Sequence, residues 1–290
     1  MGEVMKIKIR AATDIGKVRD HNEDSHIVLG GDQSPPSINA VMVVADGMGG
    51  HAAGEVASQM TVDGILDILN HQPDRFRDLE GNEFGVFLST ILGEVNQGVW
   101  QAGQEPDKRG MGTTCTLVVI RSGQLFIAQI GDSRAYLLRK GELHQITTDH
   151  SWVEEAVSQG ILTREQARIH PNRNVITRAI GLSSKVEVDI STMDLQKDDL
   201  LLLCSDGLNS MITDEKILEI LKANKLSNVC DALIKGANKA GGHDNTTVIA
   251  SLIKQVDTNG HSSSKGCKTQ RIKNNPPKLK RLIDRLFGRK

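Results

Sequence analysis

The chain has 290 residues, of which 38% are hydrophobic and only 3% aromatic, and its formal net charge is −1. A chain of this length can bury a large core, either as one large domain or as two modest ones. The scarcity of aromatic rings argues against a stacking surface for bases, so we expect no nucleic-acid partner. The longest purely aliphatic run, Leu200–Leu203, is far too short to span a membrane.

Cysteine usage and the start of the chain point to a reducing compartment. The four cysteines form no CxxC pair and have no histidine at zinc-like spacing. We expect buried, reduced thiols rather than a redox or zinc site. The first residues, Met1–Lys6, lack the apolar stretch of a secretory leader, and the sequence therefore predicts a cytoplasmic protein.

The near-neutral net charge conceals two oppositely charged parts. Residues 256–290 carry a net charge of +8, whereas residues 1–255 carry −9. From about Gln255 the composition becomes rich in Ser, Asn and Lys and includes Pro276-Pro277, which is typical of a linker. We therefore predict a folded domain over residues 1–254 and a flexible basic tail over residues 255–290.

The first half of the chain predicts one strand, two helices and a run of strands. A buried strand over 39–45 is expected to stop at Asp46-Gly47. Apolar residues at helical spacing follow over 53–69 and over 84–102. Three strands are predicted next, at 113–120, 125–130 and 135–139. Ser122-Gly123, between the first two of these strands, and Lys140-Gly141, after the third, are expected to form hairpin turns.

The second half predicts further strands and short helices. Residues 151–170 have a polar helical pattern, strands are predicted at 186–190 and 199–204, helices at 214–222 and 226–240, and a last strand at 245–254. Runs of strands interleaved with pairs of helices differ from the strict alternation of a parallel sheet. The pattern predicts an α+β fold with antiparallel sheets packed face to face and flanked by helices.

Acidic residues recur at the ends of the apolar runs. They lie in Val-Val-Ala-Asp-Gly (43–47), Ile-Gly-Asp-Ser-Arg (130–134), Leu-Cys-Ser-Asp-Gly (203–207) and His-Asp-Asn-Thr-Thr-Val-Ile (243–249), with a further cluster at Asn22-Glu23-Asp24. If the fold gathers them, their mutual repulsion calls for a cation. Two divalent ions about 3.5–4 Å apart can activate a water for attack on phosphorus. Taken singly, each Asp-Gly is also explained as an ordinary turn.

The order of the surrounding motifs resolves this ambiguity through a family resemblance. The motifs are Thr13-Asp14-Ile15-Gly16 through Arg19 to Asp24, Val44-Ala45-Asp46-Gly47-Met48-Gly49-Gly50-His51, Met111-Gly112-Thr113-Thr114, Gly131-Asp132-Ser133-Arg134, Asp149-His150-Ser151, Asn174 through Gly181, Ser205-Asp206-Gly207-Leu208 and Asp244-Asn245-Thr246-Thr247. In this order the chain resembles the PP2C-type (PPM) metal-dependent protein serine/threonine phosphatases, in their bacterial form. The resemblance covers roughly residues 8–253.

The resemblance implies a central β-sandwich of two antiparallel sheets with helices on both faces, and two Mn²⁺ or Mg²⁺ ions at one end. It implies that Asp46 bridges the two ions, that Gly47 offers its carbonyl to one of them, and that Asp206 and Asp244 complete the other shell. Asp132 matches a ligand of a third, weaker ion. Two further acidic residues, Glu23 and Asp24, match positions that act mainly through metal-bound waters.

The remaining chemistry implied by the resemblance is the hydrolysis of phosphoserine and phosphothreonine by attack of a metal-bridging water. Arg19 matches the arginine that binds the phosphate, and its planar fork suits a phosphoryl group. A histidine directly follows Asp-Gly in the eukaryotic pattern, but Met48 stands there in this chain. His51 is the candidate general acid, with a polar role at a helix start as the alternative. Residues 151–175 match a variable flap beside the active site.

The basic tail and the partners complete the sequence predictions. Apolar residues at helical spacing alternate with Lys and Arg over 278–290, a pattern that favours a short amphipathic helix on an anionic membrane face or an acidic partner. A basic extension without a dedicated role is the alternative. We expect a monomer acting on phosphoproteins, such as the substrates of Hanks-type kinases implied by the resemblance. The rival hypotheses are a non-catalytic phosphoprotein-binding module and a phosphatase for a small phosphorylated metabolite.

Overall fold

The computed structural model describes residues 5–49, residues 53–256 and the backbone of residues 268–272. Its strands are β1 Lys6–Asp14, β2 Asp24–Gly30, β3 Ala40–Met48, β4 Gly112–Thr113, β5 Cys115–Arg121, β6 Gln124–Ile130, β7 Arg134–Arg139, β8 Glu142–Gln145, β9 Val188–Asp194, β10 Leu200–Cys204, β11 Thr246–Gln255 and β12 Lys268–Ile272. The helices are α1 Ala53–His71, α2 Gly81–Ala102, α3 Trp152–Ser158, α4 Arg164–Ile169, α5 Asp206–Asn209, α6 Asp214–Ala223 and α7 Leu226–Lys239.

The strands form two antiparallel sheets. In the described chain, one sheet has the order β1-β11-β10-β7-β8, and the other has the order β12-β9-β6-β5-β3-β2, with the short β4 paired to the end of β3. The inner faces of the two sheets pack together through aliphatic side chains such as Met42, Val44, Leu201 and Ile249. The two sheets therefore form the sandwich that the sequence predicts.

Helices cover both outer faces of the sandwich. Helices α1 and α2 pack on the sheet of β3 through a core that contains Phe84, Phe87 and Ile65. Helices α5, α6 and α7 pack on the sheet of β10 through Leu208, Ile217 and other aliphatic residues. Successive residues of a central strand face opposite sides of the sheet, and both sides are covered by an apolar layer. The strands β3, β5 and β10 are therefore almost wholly buried.

Both predicted hairpin turns are present. Arg121 pairs with Gln124 across Ser122-Gly123, and Arg139 pairs with Glu142 across Lys140-Gly141. The turn residues all have positive φ, between 49° and 87°, as a two-residue turn of this kind requires.

The structure differs from the sequence predictions in several places, among them β8 and α5, which were not predicted. The polar stretch 151–170 forms two helices, because Gly160 has a φ of 72° and Thr163 starts a new helix. The strands β1 and β2 were not expected, because one face of β1 is exposed and most residues of β2 are only half-buried, which weakens the apolar pattern. Strand β3 continues to Met48 instead of stopping at Asp46, because β4 supplies a partner. Strand β12, in the predicted linker, pairs with β9.

Further predictions concern the cysteines, membrane-spanning helices, the basic tail and His51. Cys115, Cys204 and Cys230 are free and buried, as expected. Within the described part, no helix is long and apolar enough to cross a membrane. The amphipathic helix predicted over 278–290, Cys267 and His51 lie outside the described residues.

Candidate active site at one end of the sandwich

The predicted acidic residues converge at one end of the two sheets. Asp24 pairs with Asp46 where β2 starts and β3 approaches its end. Asp206 follows the end of β10, and Asp244 precedes the start of β11, the neighbouring antiparallel strand. A cleft of about 440 Å³ at this end is lined by Arg19, Glu23, Asp46, Gly47, Asp132, Asp206 and Asp244, among others. The cleft thus draws carboxylates from both sheets.

The backbone of Asp46 is fixed on both sides by threonines. Its N–H donates to Oγ1 of Thr114 (2.9 Å), and its carbonyl accepts from Oγ1 of Thr113 (2.8 Å) and from the N–H of Thr114 (2.9 Å). The hydroxyl of Thr114 also shares a hydrogen bond with Ser133 (2.8 Å), beside the Asp132 turn. These contacts hold the main chain of Asp46, so its carboxylate is available to the cleft.

Gly47 is required for close packing rather than for a turn. The sequence predicted a turn after Asp46, but Gly47 lies within β3 and pairs with Thr113. A Cβ at Gly47 would overlap the carbonyl oxygens of Gly54 and Glu23. The glycine therefore lets the start of α1 and the Glu23 backbone approach β3 directly. The Gly47 N–H donates to the Glu23 carbonyl (3.2 Å), which locks that approach.

Asn245 is a supporting residue that the sequence reasoning did not single out. Its Oδ1 accepts from the N–H of Glu23 (2.8 Å), and its Nδ2 donates to the carbonyls of Ile15 and His21 (both 2.9 Å). One buried amide thus ties the loop between β1 and β2, which carries Arg19 and Glu23, to the start of β11. Its position next to Asp244 in the last motif was the only available signal.

Ser205 performs a similar task on the other side of the cleft. Its hydroxyl donates to Oδ2 of Asp24 (2.7 Å) and accepts from the N–H of Thr247 (2.9 Å). The residue is fully buried. Ser205 therefore positions Asp24 relative to β10 and β11, and it directly precedes Asp206.

Arg19 lies at the mouth of the cleft. Its Nη2 donates to Oδ2 of Asp244 at 2.7 Å, and the two side chains are 51% and 31% exposed. This hydrogen bond raises the pKa of Arg19, with weaker contributions from the charges of Asp244, Glu23 and Asp46. The guanidinium keeps further N–H groups for an anion entering from solvent.

The carboxylates raise one another's pKa values. Burial, followed by the charges of Asp206 and Asp244, raises the pKa of Asp24 to about 7. Burial and the charge of Asp244 raise the pKa of Asp206 to about 6, although a hydrogen bond with the Asp46 side chain opposes this. The pKa of Asp46 lies well above its usual range, because of burial and then of Asp24 and Asp206. The cluster holds more negative charge than its surroundings stabilise.

The donor chemistry of the cleft fits hard divalent cations. Oδ1 of Asp24 and Oδ1 of Asp132 are shielded from solvent and have no hydrogen-bond partner. Unpartnered buried carboxylate oxygens are costly, and a cation would satisfy them. In the described residues, no three Asp, Glu, His or Cys side chains already form a closed ligand group. Backbone carbonyls and waters would have to complete each shell, as Mg²⁺ commonly requires.

The pKa of Asp24 makes the stability of the metal-free protein depend on pH. Because the folded-state pKa, about 7, exceeds the ordinary 3.8, the stability it contributes is fully present below about pH 4 and is lost as pH rises towards 7. Without metal, the free energy of unfolding of the wild type minus that of Asp24→Asn should be about 2 kcal/mol smaller at pH 7.5 than at pH 5. Urea unfolding in EDTA at both pH values measures this difference. A constant difference would contradict the raised pKa.

A buried histidine, His150, holds the turn that carries Asp132. Gly131 has a φ of 97°, and its N–H donates to Nδ1 of His150 (3.1 Å), while the His150 N–H donates to the Gly131 carbonyl (2.9 Å). Nε2 of His150 lies 3.3 Å from Oδ2 of Asp189. His150 therefore fixes the turn that presents Asp132 to the cleft.

The fold and the cleft together define an α+β sandwich with a carboxylate-rich site across one end of both sheets. The Protein phosphatase 2C family profile matches residues 19–244. The serine/threonine phosphatase stp of Listeria monocytogenes is 42% identical over 239 residues, which cover 82% of this chain and 92% of the relative. The chain belongs to the protein phosphatase 2C family.

Solved structures agree with this assignment. The serine/threonine phosphatase of S. agalactiae superposes with a TM-score of 0.79 at 35% identity, covering 86% of this chain and 100% of that one. The catalytic domain of PstP, in complex with two manganese ions, superposes with a TM-score of 0.73 at 36% identity, covering 87% and 100%. The predicted α+β sandwich and the predicted family are both confirmed.

Proposed function

We propose that this protein removes phosphate from phosphoserine and phosphothreonine in proteins at a centre of two divalent cations. The observation that carries the proposal is the cleft itself, where carboxylates from both sheets leave buried oxygens without partners. The manganese ions bound by PstP, a relative with the same fold, support Mn²⁺ as one of the two candidates. Mg²⁺ accepts the same oxygen ligands.

Four residues would form the dinuclear centre. Asp46 would bridge the two ions, and its pairing with Asp24 and the effect of the charges of Asp206 and Asp244 on its pKa support this role. Gly47 would contribute its carbonyl, and Asp206 and Asp244 would bind the second ion. The bound ions would lower the pKa of a water that lies between them and so supply the nucleophile for in-line attack on phosphorus.

Weaker sites would surround this centre. Asp132, with its unpartnered Oδ1, would hold a third ion together with Asp206, whose charge already raises the pKa of Asp132 after burial. Glu23 and Asp24 would act through metal-bound waters. The Glu23 carboxyl rests against Gly54, where a Cβ would come within 2.9 Å of its carboxyl carbon.

This chain's own groups would bind the phosphate and handle the proton. Arg19 would bind the phosphoryl oxygens with the N–H groups that Asp244 leaves free. His51 stays our candidate for protonating the serine or threonine oxygen as it leaves, and this proposal rests on the sequence alone, because His51 lies outside the described residues.

A substrate comparison tests the proposed function. The protein should hydrolyse phosphothreonine and phosphoserine peptides in the presence of Mn²⁺ and lose this activity in EDTA. Sugar phosphates should be turned over far more slowly. Equal or better turnover of sugar phosphates would instead favour the small-metabolite phosphatase. Binding of phosphopeptides without any turnover would favour the non-catalytic module.

Arg19→Lys should raise KM for a phosphopeptide about tenfold and change kcat less. The lysine keeps the charge but loses the planar pair of N–H groups that matches two phosphate oxygens. Steady-state kinetics at saturating Mn²⁺ measures both constants. Arg10→Lys, on the exposed face of β1, is the matched control and should leave them unchanged. An unaltered KM in Arg19→Lys would remove Arg19 from the phosphate site.

The finer partner and localisation predictions stay proposals. Substrates of Hanks-type kinases follow from the resemblance, and a contact with the inner membrane face follows from the charge of the tail. A monomeric state and a cytoplasmic location are the default expectations. The +8 charge of residues 256–290 supports an electrostatic contact with an anionic surface or partner.

A further inference from the structure

A second cavity adjoins the acidic cleft beneath the flap formed by residues 151–175. It has a volume of about 180 Å³ and shares Asp132, Asn174 and Asp206 with the cleft. One side of it is formed by α3, α4 and the segment that follows α4, and the other side includes Arg134, Asp149 and Asn209. A peptide with its phosphate in the cleft would therefore place a neighbouring side chain within reach of this cavity.

The flap is ordered by a helix cap at the start of α4 and by a ring stack between its two helices. The hydroxyl of Thr163 accepts from the N–H of Gln166, and the Gln166 side chain accepts from the N–H of Thr163, so α4 starts with a complete capping box. The rings of Trp152 and His170 stack with centroids 4.8 Å apart, which joins the start of α3 to the end of α4. Residues on α4 are thus presented on an ordered element.

Three arginines of the flap line the cavity: Arg164, Arg168 and Arg173, which we call the flap arginines. Arg164, Ala167 and Arg168 have the spacing of one helix face, and all three line the cavity. Arg164 is 3.5 Å from a carboxylate oxygen of Glu154. Around Arg168 and Arg173, no described carboxylate lies within 4.0 Å.

The other acidic groups of the cavity have partners or roles apart from the flap arginines. The Asp149 carboxylate accepts hydrogen bonds from Nε and Nη2 of Arg134, the shorter at 2.7 Å. Asp132 and Asp206 belong to the proposed metal centre. Glu215 does not line the cavity, and its pKa is lowered chiefly by a hydrogen bond from Thr213 and least by the charge of Arg168. The flap side of the cavity therefore carries uncompensated positive charge next to a cleft that handles phosphate.

We propose that the flap arginines form an anion-binding subsite for a second acidic group of the substrate, close in sequence to the phosphorylated residue. The anion is either the carboxylate of an Asp or Glu or the phosphate of a second phosphorylated residue, since arginine forks bind both. This inference rests on the proposed function and narrows its substrates to phosphoproteins with an acidic or doubly phosphorylated sequence.

A peptide series on the intact protein tests the subsite. Each peptide carries one phosphothreonine, and Glu, phosphoserine, Ala or Lys is placed in turn at each of three positions on either side. At one or two positions, Glu or phosphoserine should raise kcat/KM about fivefold over Ala, as expected for partly exposed charge pairs. Comparing the Glu arm with the phosphoserine arm identifies the preferred anion. The preference should shrink as NaCl is raised.

Variants assign the preference to the flap. Arg168→Gln together with Arg173→Gln should bring the ratio of acidic to Ala peptides close to one, and Arg168→Glu should favour the Lys peptides. Arg10→Gln, the exposed arginine on β1, should keep the wild-type ratio. Equal turnover of all peptides by the wild type, or a ratio unchanged in the double variant, would overturn the subsite.

A binding measurement separates this inference from the proposed function. Fluorescence anisotropy of acidic and Ala peptides compares their affinities without any turnover. Absence of Mn²⁺-dependent hydrolysis of every peptide would refute the proposed function, while tighter binding of acidic peptides that depends on Arg168 and Arg173 would still support the subsite. Equal affinities would overturn it.

Discussion

Asp206→Asn should lower Mn²⁺-dependent turnover of a phosphopeptide by at least about 100-fold. A bound divalent ion contributes several kcal/mol of charge stabilisation, and each 1.36 kcal/mol corresponds to a tenfold change in rate. Asp206 starts α5, with only Ser205 between it and the end of β10, and its side chain forms a hydrogen bond with the Asp46 side chain, so its loss removes a charge from the acidic cluster. Steady-state kinetics at saturating Mn²⁺ measures the effect. Full activity there would show that our assignment of the metal ligands is wrong.

The stability of the same variant distinguishes a metal effect from a folding defect. In EDTA, Asp206→Asn should unfold at the same temperature as the wild type or higher, because one of several mutually repelling carboxylates is gone. The increase in melting temperature that Mn²⁺ produces should become smaller. Asp198→Asn is the matched control, since Asp198 is exposed at the opposite end of β10 and its φ of 68° is tolerated by asparagine. It should behave as the wild type.

Gly207→Ala should lower the free energy of unfolding by about 3 kcal/mol, at the upper end of the usual cost of overpacking. A Cβ at Gly207 would overlap the carbonyl oxygen of Asn245 and come within 2.9 Å of Oγ1 of Thr246. Both atoms lie at the rigid start of β11, so neither can move away easily. For a domain of this size, the melting temperature should fall by about 6–12 °C.

The Gly207 variant should also lose activity while it is still folded. A displaced Asn245 would release the loop that carries Glu23 and Arg19, because its side chain holds that loop through three hydrogen bonds. Gly93→Ala is the control, since nothing lies within 4 Å of its Cβ position and Gly93 is inside α2. This change should raise stability by about 0.5–1 kcal/mol. An unchanged melting temperature for Gly207→Ala would contradict the close packing at β11.

Much of the secondary structure was predictable because its signals are local. The helices α1 and α2, the strands β5 to β7 and their two-residue turns follow from apolar periodicity and from turn residues that accept positive φ. The strands β1 and β12 were missed because edge strands bury too little to leave a clear pattern. The break between α3 and α4 depends on Gly160 and Thr163, whose roles emerge only when the helix ends are seen.

The sequence by itself determined the family and the identity of the acidic residues, because ordered motifs over more than 200 residues are a specific signal. Only the tertiary structure decided how these residues are held. Asn245 and Ser205 position their neighbours through contacts across the fold, and Gly47 and Gly207 are required by backbones that approach from other elements. The flap arginines became a candidate subsite only when the cavity beside the cleft was visible. Contacts between residues far apart in the chain leave no periodic trace in the sequence, so their consequences can be found only in the folded molecule.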